Sequence, residues 1–214
     1  TFTWDGPEAD YTPLSDDLPW CLIPEKKITV EDVKYVLSSH YQGTPYDPYL
    51  SYGDKSMKGA YRSIGVNRTD FLSVIQMRAD HEDDSRAIEW VAFCSNAFNT
   101  LLPFYADVEK TPDYVANTDK NVSTDNFYWT SRLIAAMADV ERYQGHVMAK
   151  SHALIAKYDA KLAQTADKAE RLVIKHEANE AIAQMAKEEA LATLEKVLSE
   201  LTNQMKNAYS RSDA

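Results

Sequence analysis

Two cysteines, five histidines and a leading threonine are the groups in this chain with the types to attack a carbonyl, carry a proton or bind a metal. A free N-terminal threonine can be a nucleophile activated by its own amine. That use of Thr1 needs a rigid strand behind it and donors for an oxyanion. The residues that follow, Trp4-Asp5-Gly6-Pro7, read as a loop, so Thr1 is taken as a chain boundary. Cys94 ends an apolar run, but a reactive thiol needs a base and a depressed pKa. None of His40, His81, His146, His152 and His176 is tied to it by a local motif. Cys94 is therefore expected to be a buried, inert thiol, and Cys21, inside Leu18-Pro19-Trp20-Cys21, the same. Two cysteines are too few for a disulfide framework, and two free thiols are the default.

The histidines are poor metal ligands. His146 and His152 are six apart and share no helix face. There is no Cys-x-x-Cys and no His-Glu-x-x-His. His81 sits in an acidic hairpin and is expected to be solvated. Six glycines leave no glycine-rich phosphate loop. No metal and no cofactor is expected. Candidate substrate contacts come down to Arg68, Asn96 and Asn99. Arg68, in Asn67-Arg68-Thr69-Asp70, can line a pocket and meet a carboxylate. Asn96 and Asn99 follow a strand end, where amides can bond a peptide. Both segments also read as turns, and that reading outweighs the functional one. Arg132 is expected to pair with Asp125 or Asp139 and serve the fold.

A formal charge of −10 leaves no basic surplus for phosphates and argues against nucleic acid. The acidic surplus lies almost wholly in the first 160 residues. An acidic body would attract a cation such as a peptide amine. Hydrophobic content of 44% and charged content of 26% fit a globular protein. No apolar run is long enough to span a bilayer. The compartment stays open, with the cytoplasm favoured over secretion.

These groups must be positioned by recognisable elements. Residues 1–27 carry Pro7, Pro13, Pro19 and Pro24 and read as an irregular strap, anchored by Trp4, Tyr11, Leu14, Leu18 and Trp20. Thr29 caps a helix with Asp32 at its third position, and Ile28 can staple to Val33. Val33, Val36, Leu37 and His40 form its apolar face. Strand-like runs cover Tyr61–Val66, Phe71–Met77 and Ala87–Cys94, with 80–85 as a polar hairpin tip. Both faces of the third run are apolar, which predicts a sheet covered on both sides. A short strand or turn is expected near Tyr114-Val115. Thr124 or Asp125 caps a helical stretch that Gly145 can kink. From about Thr165 to Tyr209 the pattern is one long helix. Leu191, Leu194, Leu198, Leu201 and Met205 step as a coiled-coil seam. Antiparallel packing on 126–162 would bury this helix, and homo-oligomerisation through the 191–205 seam stays open. The segmentation is 1–27 strap, 28–122 α+β portion and 123–214 helical extension.

Several words occur together. Thr29-Val30-Glu31-Asp32-Val33 is followed by Gly43-Thr44-Pro45-Tyr46-Asp47. Tyr61-Arg62-Ser63-Ile64-Gly65-Val66-Asn67-Arg68-Thr69 comes next, then Ser95-Asn96-Ala97-Phe98-Asn99 with Pro103-Phe104-Tyr105, and Ser123-Thr124-Asp125-Asn126-Phe127-Tyr128-Trp129. In this order they resemble the bacterial dipeptidase A/D family of N-terminal-nucleophile hydrolases. The resemblance covers about 27–160. It implies an α+β fold, part of an αββα sandwich, here with a long C-terminal helical hairpin. It implies cysteine-dependent hydrolysis of dipeptides, in which a thiol attacks the carbonyl and its own α-amine handles the proton, without a metal. The family's nucleophile has no matching position here, so no catalytic residue is carried over. The chain is expected to be a C-terminal piece, inactive alone, whose partner is the N-terminal half of the same enzyme. A non-enzymatic helical scaffold dimerising through the seam is the alternative.

Overall fold

A computed structural model describes residues 14–21, 23–50, 53–137 and 140–203. Trp4, Tyr11, Asp139 and Met205 lie outside these residues. The chain divides into two compact units, Thr1–Asn67 and Arg68–Ala214.

In the first unit a capping box starts helix α1 (Val30–Ser38). The Thr29 hydroxyl accepts from the Asp32 N–H at 3.1 Å, and the Asp32 carboxylate accepts from the Thr29 N–H at 2.9 Å. The buried positions of α1 are Val30 and Lys34, four apart, whereas Val36 is exposed. Ile28 is exposed as well, so the expected staple and the expected Val36 face are both corrected. Residues 61–66 form no strand. They are pressed against the end of α1, where the Gly65 N–H donates to the Ser39 carbonyl at 2.7 Å. A Cβ on Gly65 would fall 2.2 Å from the Ser38 oxygen, so only glycine permits this approach. A strand here would need a partner ladder, and the backbone is committed to α1 instead. Leu14, Leu18 and Trp20 are exposed and do not anchor the strap as expected.

The second unit is an antiparallel sheet of β1 (Phe71–Met77), β2 (Ala87–Phe93) and β3 (Leu102–Tyr105), in that order. It is followed by α2 (Asp113–Ala116), α3 (Phe127–Met137), α4 (Val140–Leu162) and α5 (Lys168–Asn203). Register pairs Phe71 with Phe93, Val74 with Trp90 and Ile88 with Tyr105. Alternation puts Ile88, Trp90 and Tyr105 on one face. There the Trp90 ring meets His152 of α4 at 5.0 Å, and the Tyr105 hydroxyl reaches Asp159 of α4 at 2.8 Å. The opposite face carries Phe71, Ile75, Met77, Val91, Phe93, Leu102 and Phe104. It is buried at Val91, Leu102 and Phe104 but open along β1, where Phe71, Ile75 and Met77 are 54%, 69% and 64% exposed. The expectation of cover on both sides therefore fails at the β1 edge.

Tyr114-Val115 lies in the one-turn helix α2 rather than a strand, with Pro112 as its N-cap residue. The cap of α3 is Asn126, whose Oδ1 accepts from the Trp129 N–H at 2.9 Å, in place of Thr124 or Asp125. Helix α4 runs unbroken through Gly145. It buries Val147, Ser151, Ile155, Tyr158 and Leu162 at steps of three or four. Helix α5 answers with Ala178, Ile182, Ala183, Ala186, Ala190 and Leu194. Alanines along this stripe let the two helices approach closely. Leu194 is thus spent inside the chain, whereas Leu198 and Leu201 are half-exposed.

One polar residue interrupts that stripe. Asn179 is almost fully buried and takes the place of a fourth strand. Its Oδ1 accepts from the Tyr105 N–H at 2.9 Å, and its Nδ2 donates to the Tyr105 carbonyl at 3.1 Å. The outer edge of β3 is closed by a side chain, which removes an open edge from the sheet.

Candidate functional site

The start of β1, the end of β2 and the segment 94–100 gather the polar groups that the sequence singled out. Cys94 follows β2 with φ +71°, in the left-handed region. A residue with a Cβ is held there only by surrounding bonds, at a cost of about 1 kcal/mol or more. Those bonds are present. The Cys94 N–H donates to the Asp70 carbonyl at 2.7 Å. Asn99 Nδ2 donates to the Cys94 carbonyl at 2.7 Å. The N–H groups of Phe98 and Asn99 both donate to the Ser95 carbonyl at 2.9 Å, closing a tight turn. Gln144 of α4 then holds the Asn99 carbonyl at 2.7 Å.

Asn96 and Asn99 are both buried in this turn beside Cys94. Arg68 lies at the same end of the sheet, two residues before Asp70, where it is exposed and has no ion-pair partner among the described residues. The Oγ of Ser95, Oδ1 of Asn99 and Oγ1 of Thr100 are buried without a hydrogen-bond partner among the described residues. So many polar atoms left open is unusual for a packed turn.

Arg132 does not take Asp125 as its partner, and Asp139 lies outside the described residues. Asp125 is taken by Lys187 at 2.9 Å. Arg132 Nη1 instead donates to the Tyr128 hydroxyl at 3.2 Å and faces Asp70 Oδ1 at 3.5 Å. Its guanidinium also lies over the Tyr128 ring, 5.7 Å from the centroid. The signal available in the sequence was the four-residue step from Tyr128 to Arg132 on one helix face.

Cys94 is buried and both cysteines are free, but Cys21 is exposed, which corrects the expectation that it is buried. Burial pushes the Cys94 thiol up, and the Ser95 backbone and Arg132 offset part of that rise. A raised thiol is the wrong direction for a nucleophile. Three of the imidazoles are engaged elsewhere. His40 Nδ1 bonds the Ser38 carbonyl at 2.8 Å, and His152 packs on Trp90. His81 is not simply solvated: it sits between Asp80 at 3.0 Å and Asp159 at 3.3 Å.

The opposite end of the sheet is locked by ion pairs that sequence reading missed. Arg78 meets Asp159 at 2.5 Å. Arg171 of α5, almost fully buried, forks onto Asp84 at 2.6 and 2.8 Å. Lys175, equally buried, reaches Asp107 at 3.0 Å. These groups are far apart in sequence and only the folded chain joins them. Among the described residues, no group of three or more His, Cys, Asp or Glu side chains could hold a metal ion. No helix of the described residues is long and apolar enough to cross a membrane.

The described elements make this an α+β protein whose one small antiparallel sheet ends in a strained, polar turn. The model of peptidase family C69 matches residues 1–155, and the chain belongs to that family. A dipeptidase of Bifidobacterium longum is 50% identical over 170 residues, covering 75% of this chain and 32% of that protein. A probable dipeptidase A of Streptococcus pyogenes serotype M18 is 44% identical over 217 residues, covering 97% of this chain and 45% of that protein. Dipeptidase A of Lactobacillus helveticus is 36% identical over 133 residues, covering 62% of this chain and 28% of that protein. The chain spans less than half the length of these relatives.

Proposed function

We propose that this chain is the C-terminal segment of a cysteine-type dipeptidase whose N-terminal cysteine nucleophile lies on an upstream part. The observation that carries the reading is the open sheet face. Phe71, Ile75 and Met77 are each more than half exposed on one side of β1. A sheet that leaves three large apolar side chains uncovered on one face needs a layer to bury them. In an αββα sandwich a second sheet supplies that layer, and the additional length of the relatives leaves room for one. Residues 28–122 would then be the α+β portion and 123–214 its helical extension. Arg68 stands at the exposed rim of the substrate site, with Asn96 and Asn99 in the buried wall behind it. The thiol attacks the dipeptide carbonyl, and its own α-amine carries the proton from thiol to leaving amine. The raised Cys94 thiol supports placing the attacking group elsewhere.

The test is complementation. This chain and the upstream portion from the same gene are assayed for dipeptide hydrolysis separately and mixed. Activity is expected only in the mixture, and it is expected to vanish with an Ile75→Asp/Met77→Asp pair. Hydrolysis by this chain alone would overturn the placement of the nucleophile. Membership of a peptidase family favours this reading over a helical scaffold. Leu198 and Leu201, half-exposed at the end of α5, remain the surface through which copies of the chain would associate.

A further inference from the structure

We propose that Arg132, rather than Arg68, is the anchor for the C-terminal carboxylate of the substrate. The inference rests on the dipeptidase reading above and deepens it. A carboxylate anchor must be cationic, reachable, pre-oriented and close to the polar turn. Arg132 meets each requirement. Its side chain is 47% exposed, and the carboxylate it faces among the described residues, Asp70, is 58% exposed and 3.5 Å away. That pair is open to solvent and therefore weak. It leaves the guanidinium fork free to take a stronger bidentate partner. Tyr128 fixes the group from one side by its hydroxyl and its ring face. A pre-oriented side chain loses less freedom on binding.

The anchor is also in the right place. Asp70 joins the two features, because its side chain faces Arg132 and its carbonyl accepts the Cys94 N–H. The guanidinium therefore stands at the strained turn that carries Asn96 and Asn99. Arg68 lies at the same end but has no side-chain partner among the described residues to orient it. The other arginines of this unit whose side chains are described serve different ends. Arg78 and Arg171 are committed to Asp159 and Asp84, and Arg86 pairs with Asp83. Recognition of the free carboxylate is what separates a dipeptide from a longer or blocked peptide. Arg132 would thus set the length specificity of the site without joining the bond-breaking step.

The experiment compares hydrolysis of one dipeptide with that of its C-terminal amide, using the full-length protein that carries this chain. The wild-type protein is expected to prefer the free acid. Arg132→Met is expected to lower kcat/KM for the free acid about 30-fold and to leave the amide nearly unchanged. Arg132→Lys keeps the charge but not the fork and should fall between the two. Tyr128→Phe removes only the orienting hydroxyl, so it reads the same role if Arg132→Met fails to fold. It should raise KM for the free acid about 3-fold, with no change in melting midpoint. Equal loss on both substrates would show a structural role and overturn the assignment. Loss of discrimination in Arg68→Met but not in Arg132→Met would transfer the anchor to Arg68. A wild-type protein that cleaves neither substrate would overturn the dipeptidase reading itself. A wild-type protein that cleaves both equally would overturn only this inference.

Discussion

Asn179→Leu tests whether a single side chain completes the sheet. Leucine has nearly the shape of asparagine but can neither donate nor accept. The substitution would strand the Tyr105 N–H and carbonyl, which now meet Asn179 at 2.9 and 3.1 Å. Both groups lie in the packed junction of β3 and α5, where Tyr105 and Asn179 are almost fully buried. Each backbone group left without a partner in such a place costs about 1–3 kcal/mol. The pair should therefore cost about 4 kcal/mol. For a unit of about 150 residues this lowers the melting midpoint by about 12 °C. Asn179→Ala leaves room for a water molecule and should cost about half as much. Asn179→Asp gives a directional check. Its carboxylate would face the Tyr105 carbonyl with an acceptor where the amide had a donor. That raises its folded pKa above the unfolded value, so its deficit relative to wild type should shrink as pH falls toward that raised value. Thermal unfolding followed by circular dichroism at pH 7 and pH 4.5 reads all three variants. An Asn179→Leu midpoint within about 2 °C of wild type would refute the reasoning, since Tyr105 would then satisfy its backbone elsewhere.

Two further perturbations follow from the ionic groups. The Arg171 guanidinium bonded to Asp84 holds its carboxyl below the usual value of 3.8. A depressed carboxylate stabilises above its unfolded pKa and loses that contribution as pH falls through the folded value. Asp84→Asn should therefore destabilise by about 2 kcal/mol at pH 7, with the difference from wild type closing below about pH 4 in urea titrations. A gap that persists into acid would contradict this account. Lys34 behaves in the opposite sense, since burial lowers its amine from 10.5 to about 8. Between those values the unfolded chain binds the extra proton, so stability of the first unit should rise with pH. Lys34→Met should abolish that rise in melting curves taken from pH 7 to pH 10, and a rise surviving in the variant would assign it to another group.

Elements with a local cause were legible in the sequence. The capping box at Thr29 and Asp32 needs only three residues of spacing, and it formed. β1, β2 and the hairpin tip between them followed from alternation and a run of polar residues. Helix α5 followed from its length without glycine or proline. Errors arose where distant chain decides. Residues 61–66 have strand composition, but α1 captures their backbone. Leu194 has seam spacing, but the chain's own fold buries it. The site was legible as a list of residue types and not as an arrangement. Asn96 and Asn99 read as turn formers and do form a turn. Nothing local announced that the turn would hold Cys94 at positive φ, or that Asp70 would join it to Arg132.

The two ends of the sheet have opposite electrostatic designs, and the contrast bears on function. At the hairpin end Arg171 and Lys175 are almost fully buried and each is closed by an acidic partner. Burying cations this deeply is tolerable only when their charges are answered, and these two are. At the Cys94 end Arg132 and Asp70 are half-exposed, the ion pair between them is long, and several buried polar atoms have no partner among the described residues. Strain and open hydrogen-bonding capacity lower stability and persist where binding uses them. A protein selected for stability alone would close the second end as it has closed the first. The asymmetry supports the proposal that substrate is recognised at the end carrying Arg132, and it leaves the exposed face of β1 for the layer that would bring the nucleophile.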